Sequence, residues 1–177
     1  MKNLFLFLLL VIVGNCAAAQ LKPFSNGSSV HFKIKNFGIS VDGSFSGLQG
    51  NIKFNPEDID HAAFNISVDA NTVNTENNLR DEHLRKETYF DVKKYPRISF
   101  ASTKVTRTAQ NGAFFIFGKL TIKNTTRDIS FTFTAEASGT GYIFRGTFTM
   151  NRRDFDVGGS SIISDNLDVI LNVVATQ

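Results

Sequence analysis

The stretch that decides the fold is ISFTFTAEASGTGYIFRGTFTM, residues 129–150. In its first half, large apolar residues from Ile129 to Phe133 occupy every second position, and Ser and Thr stand between them. The second half, Tyr142 to Met150, repeats the alternation, and Ser138–Gly141 supplies turn-forming residues. Because successive side chains of a strand point to opposite faces, this stretch predicts two antiparallel strands with one apolar and one polar face.

The same alternation recurs along the chain and predicts about eight strands in all. The other predicted strands cover residues 29–35, 41–54, 64–73, 97–106, 113–123 and 167–174. In segment 41–54 the apolar residues move from odd to even positions at Ser46-Gly47, which predicts a β-bulge or a sharp bend there. Asn111-Gly112 predicts a hairpin turn between the strands on either side of it.

One segment interrupts the strands. Residues 75–86, TENNLRDEHLRK, combine good helix formers with charges of both signs, and they predict a short helix between strands 3 and 4 with Thr75 as its N-cap. A sheet with one apolar face must bury that face, either in a sandwich or in a closed barrel. Glycines at positions 43, 47, 50 and 146 would permit the strong bending that a barrel needs.

The N-terminus has the three parts of a secretory signal peptide. Lys2 is followed by the apolar run Leu4–Val13 and by the small residues Ala17–Ala19. We therefore expect cleavage after Ala19, a mature domain of residues 20–177, and a periplasmic or secreted protein. Two alternatives stay open, an uncleaved anchor and a lipoprotein modified at Cys16.

The charged residues exclude some classes of function. The chain has 19 Lys and Arg against 16 Asp and Glu, and these charges are interspersed. We therefore expect no nucleic-acid partner, although the mild basicity could favour an acidic membrane surface. The histidines His31, His61 and His83 lack the spacing of metal ligands, and no nucleophile stands in a catalytic pattern, so we expect no metal, no cofactor and no enzyme.

Phenylalanine dominates the apolar faces, with 18 Phe and no Trp in the chain. Many of them fall on the predicted inner face of several strands. Such a set can form a solid core. In a closed barrel it can also wall a tunnel for a hydrocarbon chain, because burial is worth about 0.8 kcal/mol per CH₂ group. Both interpretations stay open on the residues alone.

Several motifs together resemble one family, the YceI-like proteins, which are exported bacterial lipid-binding proteins. The resemblance runs across the whole predicted mature domain. It is carried by SVHFKIKNFG (29–38), VDGSFSG (41–47), RDEHL (80–84), YFDV (89–92), YPRISF (95–100), GKLTIKNTT (118–126) and NRRDF (151–155). It implies an all-β fold, an eight-stranded antiparallel lipocalin-like barrel with one short helix, and no catalysis.

The resemblance also implies a ligand, a long polyisoprenoid or a similar amphiphilic lipid such as a fatty-acyl lipid, held in the barrel interior. The residues expected to bind it are Phe32, Ile34, Phe64, Ile66, Phe100, Leu120, Ile122, Phe131, Phe133, Phe144 and Phe148. The expected headgroup contacts are Arg80, His83 and Arg152. For these three polar residues the alternative is a structural role, in which they lock the helix and the neighbouring loop against the barrel.

A second function stays open on the sequence. The protein could be a solidly packed envelope-stress or adhesion module without a ligand cavity, in which the phenylalanines fill the barrel. The sequence also leaves open a homodimer and a transient contact with a membrane surface.

Overall fold

The structure is a computed structural model that describes residues 20–159 and 163–177, so the predicted signal peptide lies outside the described residues. Nine strands and one α-helix follow each other along the chain. They are β1 (Gln20–Pro23), β2 (Ser29–Asn36), β3 (Ile39–Lys53), β4 (Ala63–Asn74), α1 (Asn78–Leu84), β5 (Arg97–Arg107), β6 (Ala113–Ile122), β7 (Thr125–Ser138), β8 (Gly141–Asn151) and β9 (Ile163–Thr176). Short 3₁₀ turns lie at Ile59–His61 and Arg152–Phe155. Within these residues, no helix is long and apolar enough to span a bilayer.

Eight of the strands form the predicted antiparallel barrel. Their order is β3-β2-β9-β8-β7-β6-β5-β4, and pairing between β3 and β4 closes the sheet. The short strand β1 is an addition that the sequence did not indicate, because four residues are too few to show alternation. It pairs with β3 at Leu21↔Ile52 and with β9 at Lys22↔Thr176, and so lies between them at one end of the barrel.

The bulge predicted at Ser46-Gly47 is confirmed. The register between β3 and β4 shifts on both sides of Ser46, and Gly47 has a φ of 66°. A Cβ atom at Gly47 would lie 2.9 Å from the Cβ atom of Asp69, so a side chain would also be crowded there. Arg97 holds the bulge in place, because its Nη2 atom donates to the carbonyl oxygens of both Gly47, at 2.9 Å, and Ser67, at 2.6 Å.

The helix lies where it was predicted, but it is shorter and has a different cap. Its N-cap is Asn77, whose side chain accepts a hydrogen bond from the backbone N–H of Arg80. Thr75 was predicted to be the cap, and this is wrong. Glu76 has a left-handed φ of 60°, so the helix cannot extend back to Thr75. The Thr75 hydroxyl instead donates to the buried carboxylate of Asp81 at 2.5 Å.

One seam of the barrel is held by side chains. Strands β7 and β8 pair only from Phe133↔Gly146 to their shared turn at Ser138↔Gly141. The first half of β7 follows β6, and the second half of β8 follows β9, so their backbones separate. Inside this seam the rings of Phe131 and Phe148 stack, with centroids 4.8 Å apart and planes 20° apart.

The two ends of the barrel differ in their packing. At one end, which we call the closed end, Phe54 lies at the centre of an aromatic cluster. Its ring centroid is 5.0 to 6.2 Å from those of Phe64, Phe114, Phe133, Tyr142 and Phe144. The opposite end, which we call the helix end, carries the β2–β3 turn, α1 with the loop that follows it, the β6–β7 turn and the 3₁₀ turn Arg152–Phe155.

The packing around Phe54 predicts a large effect on stability. Phe54 is 3% exposed, so Phe54→Ala removes a ring that the cluster cannot easily replace. We expect the free energy of unfolding to fall by about 3–5 kcal/mol. Phe117→Ala is the control, since Phe117 is 39% exposed, and it should cost less than about 1 kcal/mol. Urea unfolding followed by circular dichroism measures the free energy of unfolding of both variants. Equal decreases for Phe54→Ala and Phe117→Ala would show that the aromatic cluster does not contribute more to stability than an exposed ring.

Candidate functional site in the barrel interior

An apolar cavity of about 230 Å³ lies inside the barrel between the closed end and the helix end. All eleven interior residues named from the sequence line it. These are Phe32, Ile34, Phe64, Ile66, Phe100, Leu120, Ile122, Phe131, Phe133, Phe144 and Phe148. The alternation of the strands is the physical reason, because inward positions of neighbouring strands face one shared space.

Glycines make room for several of the rings that wall the cavity. Phe32 on β2 lies over Gly43, its partner on β3, and Phe100 on β5 lies over Gly118 on β6. A Cβ atom added at Gly43 or Gly118 would come within 2.1 or 2.3 Å of the ring above it. The glycines therefore let the rings lie back against the sheet, which leaves space along the barrel axis. Gly43, which we expected to permit bending, has this packing role and no left-handed φ.

The phenylalanines at the closed end have a different role. Phe64, Phe133 and Phe144 are each 5% exposed and belong to the cluster around Phe54. They form the floor of the cavity. The structure thus contains both arrangements that the sequence left open, a packed aromatic core at one end and a walled cavity above it.

The cavity is also lined by residues that were not predicted from the sequence. Three of them, Leu167, Val169 and Leu171, are inward positions of β9. Their alternation was visible in the sequence, so this signal could have identified them. Tyr89 and Phe90 line the cavity from the loop after α1, and the Phe90 ring meets Phe45 at 5.3 Å. That loop has no periodic pattern, so no sequence signal indicated them.

Arg80 lies at the helix end of the cavity and also has a structural role. Its Nε atom donates to the Thr75 hydroxyl and its Nη2 atom to the Thr75 carbonyl, both at 2.7 Å. These bonds tie α1 to the end of β4. They leave Nη1 without a hydrogen bond to any residue of 20–159 or 163–177. Arg80 can therefore hold the helix and still offer donors to a ligand.

His83 does not reach the cavity. Its side chain is exposed on α1, and its ring packs edge-on against Tyr89 with centroids 5.0 Å apart. The predicted headgroup contact at His83 is therefore wrong as to position. His83 is three residues after Arg80, a spacing that places two side chains on neighbouring parts of a helix surface. The α1 side chains that line the cavity are nevertheless Arg80 and Leu84.

Arg152 lines the cavity and is 4% exposed, but loop carbonyls surround its guanidinium group. It donates to the backbone oxygens of Val157 at 2.8 Å and Gly158 at 2.7 Å, and to a carboxylate oxygen of Asp165 at 3.0 Å. A hydrogen bond from Arg153 lowers the pKa of Asp165, and attraction by both arginines adds to this effect. These contacts give Arg152 the structural role, which is to tie residues 157–159 and 163–165 together at the helix end.

Asn36 places a polar atom at the cavity that the sequence analysis did not single out. It continues the inward positions of β2 and lines the cavity at the helix end. Its Oδ1 atom is buried and accepts no hydrogen bond from any residue of the described chain. A buried acceptor without a donor is costly, so this position favours a ligand group that can donate a hydrogen bond.

The described ranges hold no group of three His, Cys, Asp or Glu side chains that could bind a metal ion. His61 is hydrogen-bonded to Asp58 at 2.7 Å on the outer surface, and His31 is exposed on β2. Asn36, Arg80 and Arg152 bring polar groups to the helix end of the cavity, and most of its wall is hydrocarbon.

Comparisons with known proteins agree with this architecture. A family model described as the YceI-like domain matches residues 21–175. A UPF0312 protein from Pseudomonas putida strain W619 is 33% identical over 175 residues, which is 93% of this chain and 90% of that protein.

Two solved structures share the fold. BcnA of Burkholderia cenocepacia superposes with a TM-score of 0.79 at 24% identity, over 84% of this chain and 96% of that one. A polyisoprenoid-binding domain from Saccharophagus degradans, implicated in plant cell wall breakdown, superposes with a TM-score of 0.72 at 14% identity, over 90% of this chain and 98% of that one. Both structures share the fold despite their low sequence identity to this chain. The family model matches residues 21–175, so the chain belongs to the YceI-like family.

Proposed function

We propose that this protein binds the apolar chain of an amphiphilic lipid, of polyisoprenoid or fatty-acyl type, inside its barrel. The observation that carries the proposal is a cavity walled mainly by phenylalanine and aliphatic side chains, with Asn36, Arg80 and Arg152 at its helix end. Such a wall stabilises a hydrocarbon by about 0.8 kcal/mol per CH₂ group buried. It would leave the polar groups of a sugar or a nucleotide without hydrogen-bond partners, at a cost of about 1–3 kcal/mol each.

The size of the cavity bears on the length of the ligand. Its inward positions on β2 run from Val30 to Asn36, which corresponds to a depth of about 15 Å for tilted strands. Its volume of about 230 Å³ is below the range of roughly 300–1,000 Å³ that is usual for small-molecule sites. A long chain must therefore displace side chains, and the stacked rings of Phe131 and Phe148 lie at the seam where β7 and β8 are not paired with each other.

The polar rim suggests how the ligand is oriented. We propose that Arg80 contacts the headgroup through Nη1 and that Asn36 accepts a hydrogen bond from it. A headgroup that both accepts and donates, such as an alcohol or a protonated phosphate, satisfies both side chains. The chain would then point towards the closed end. Arg152 takes part indirectly, through its hydrogen bonds to Val157, Gly158 and Asp165 at this end.

The polyisoprenoid-binding domain with the same fold supports the class of ligand. The role that we propose is carriage or sequestration without catalysis and without a cofactor. The predicted signal peptide, with cleavage after Ala19, supports a location in the periplasm or outside the cell, and lipidation at Cys16 is the alternative. The packed module without a ligand predicts a barrel filled along its length, whereas here the aromatic cluster fills only the closed end.

The direct test is to identify any lipid that accompanies the protein. Native mass spectrometry of gently purified protein, followed by solvent extraction, should find a bound prenyl or acyl lipid, and fluorescent prenyl or acyl probes should bind to delipidated protein. If neither a lipid nor a probe binds, the proposal is wrong and the packed module is favoured.

A substitution on β9 separates cavity filling from general damage. Val169 lies between Phe32 on β2 and Phe148 on β8 and points into the cavity. Val169→Trp should fill that space and weaken probe binding at least tenfold. The neighbouring Ile170→Trp points outward, where Ile170 is 40% exposed, and should bind normally. Fluorescence titration of both variants measures the effect, and equal affinities for Val169→Trp and the unchanged protein would place the ligand elsewhere.

The rim makes a separate prediction. Arg80→Gln removes the charged donor, so affinity for a prenyl or acyl lipid with a phosphate or carboxylate headgroup should fall about tenfold, as expected for a charge-assisted hydrogen bond. Affinity for a hydrocarbon probe without a headgroup should not change. His83→Gln on the same helix is the matched control and should leave both affinities unchanged. Equal losses for both probes would mean that Arg80 acts only through the fold.

A further inference from the structure

We infer that the helix end is a membrane-docking surface, through which the cavity exchanges its ligand directly with a lipid bilayer. Within residues 20–159 and 163–177, the three most exposed large apolar side chains all lie at this end. They are Phe37 at 72% and Ile39 at 71% in the β2–β3 turn, and Leu79 at 80% on α1. We call these three residues the apolar tip. The inference rests on the proposed function, because an amphiphilic lipid of the proposed type partitions into a bilayer before it binds the protein.

Phe37 provides an independent observation. It has a left-handed φ of 51° and is followed by Gly38 with a φ of 79°. Turns of two residues with this backbone usually contain Asn, Asp or Gly, because a bulky side chain is strained there. Phe37 neither suits the turn nor is buried by the rest of the barrel. The Phe37 side chain is therefore unfavourable in the isolated protein. Its exposure at this position is consistent with burial of the ring in another surface, outside the protein, when that surface binds.

The position of the apolar tip connects it with the cavity. The β2–β3 turn directly continues the strand that carries Ile34 and Asn36 on the cavity wall, and Leu79 directly precedes Arg80 on α1. Both the β2–β3 turn and α1 therefore carry exposed apolar side chains at the rim. A bilayer that received this tip would lie next to the polar rim, where lipid headgroups stay hydrated.

A bilayer suits this surface better than a second copy of the chain. The apolar tip exposes on the order of 400 Å², about half of the ~800 Å² per partner that a stable protein interface buries. Residues 75–96, which contain α1 and the loop that follows it, have five Lys and Arg and five Asp and Glu side chains. With the charges balanced in this segment, and with Arg152 and Arg153 paired to Asp165, docking should depend mainly on the apolar side chains and only weakly on salt or on anionic lipid.

The experiment compares two triple variants with the unchanged protein. Phe37→Ser/Ile39→Ser/Leu79→Ser removes the apolar tip. Phe24→Ser/Phe117→Ser/Ile170→Ser removes the three other exposed large apolar side chains of the described residues, which lie away from the helix end and do not line the cavity. Each protein is sedimented with vesicles of phosphatidylcholine, with and without phosphatidylglycerol. The transfer rate of a fluorescent acyl or prenyl probe from these vesicles is measured as vesicle concentration increases.

We expect the tip variant to lose at least tenfold in vesicle binding and in transfer rate, with the control variant unchanged. Probe affinity in solution without vesicles should stay within about twofold for all three proteins. Equal vesicle binding by the tip variant, or no vesicle binding by the unchanged protein, overturns the inference. The inference is also overturned if the tip variant still binds vesicles but changes from a dimer to a monomer in analytical ultracentrifugation.

The two proposals fail separately in this design. If the unchanged protein binds no probe in solution, the proposed function is wrong, whatever the vesicles show. If it binds the probe but never sediments with vesicles, the ligand reaches the cavity through water and only the docking surface is wrong. Thermal unfolding of both triple variants shows that the exposed substitutions leave the barrel folded.

Discussion

The bulge at Ser46-Gly47 is the constraint on which the rest of the barrel depends. β3 pairs with β2 before the bulge and with β4 across and beyond it, so the closure of the sheet passes through this point. The extra residue also changes which face later side chains occupy, because the side-chain period of a strand is two. Leu48, Ile52 and Phe54 consequently point inward. Only Gly tolerates both the backbone and the crowding at position 47, and Arg97 holds that geometry from β5.

The inward direction of Phe54 determines where the cavity ends. Its ring meets aromatic side chains from β4, β6, β7 and β8, which together fill one end of the barrel. Above this cluster the same residue type leaves space, because Phe32 and Phe100 lie over glycines on the neighbouring strands. A phenylalanine packs the core or walls a cavity according to its partner across the strands. The two arrangements have different roles, since the packed end stabilises the fold and the other end can accept a ligand.

The helix end combines three features that rarely serve stability. It carries polar side chains of the cavity, a buried acceptor on Asn36 that receives no hydrogen bond from the described residues, and the three most exposed large apolar side chains among those residues. Proteins accept such costs where function requires them. A cavity for an amphiphilic lipid accounts for the first two, and a bilayer next to its rim accounts for the third. The network of Arg80, Thr75 and Asp81 and the contacts of Arg152 keep this end ordered without filling it.

The sequence by itself determined the strands, the place of the helix, the bulge and the inward residues, because alternation and turn chemistry are local properties of the chain. Alternation left a sandwich and a barrel both open, and the barrel was implied by the family resemblance and decided by the pairing of β3 with β4. It did not determine which inward phenylalanines pack and which leave space, since Phe32 and Phe64 have the same pattern and differ only in their neighbours across strands. It misplaced the helix cap at Thr75 and the headgroup contact at His83, because a partner such as Asp81 and the direction of a side chain on α1 are set by packing. Tyr89, Phe90 and Asn36 joined the site only in the tertiary structure, which brings a loop without periodicity and the end of β2 to one rim.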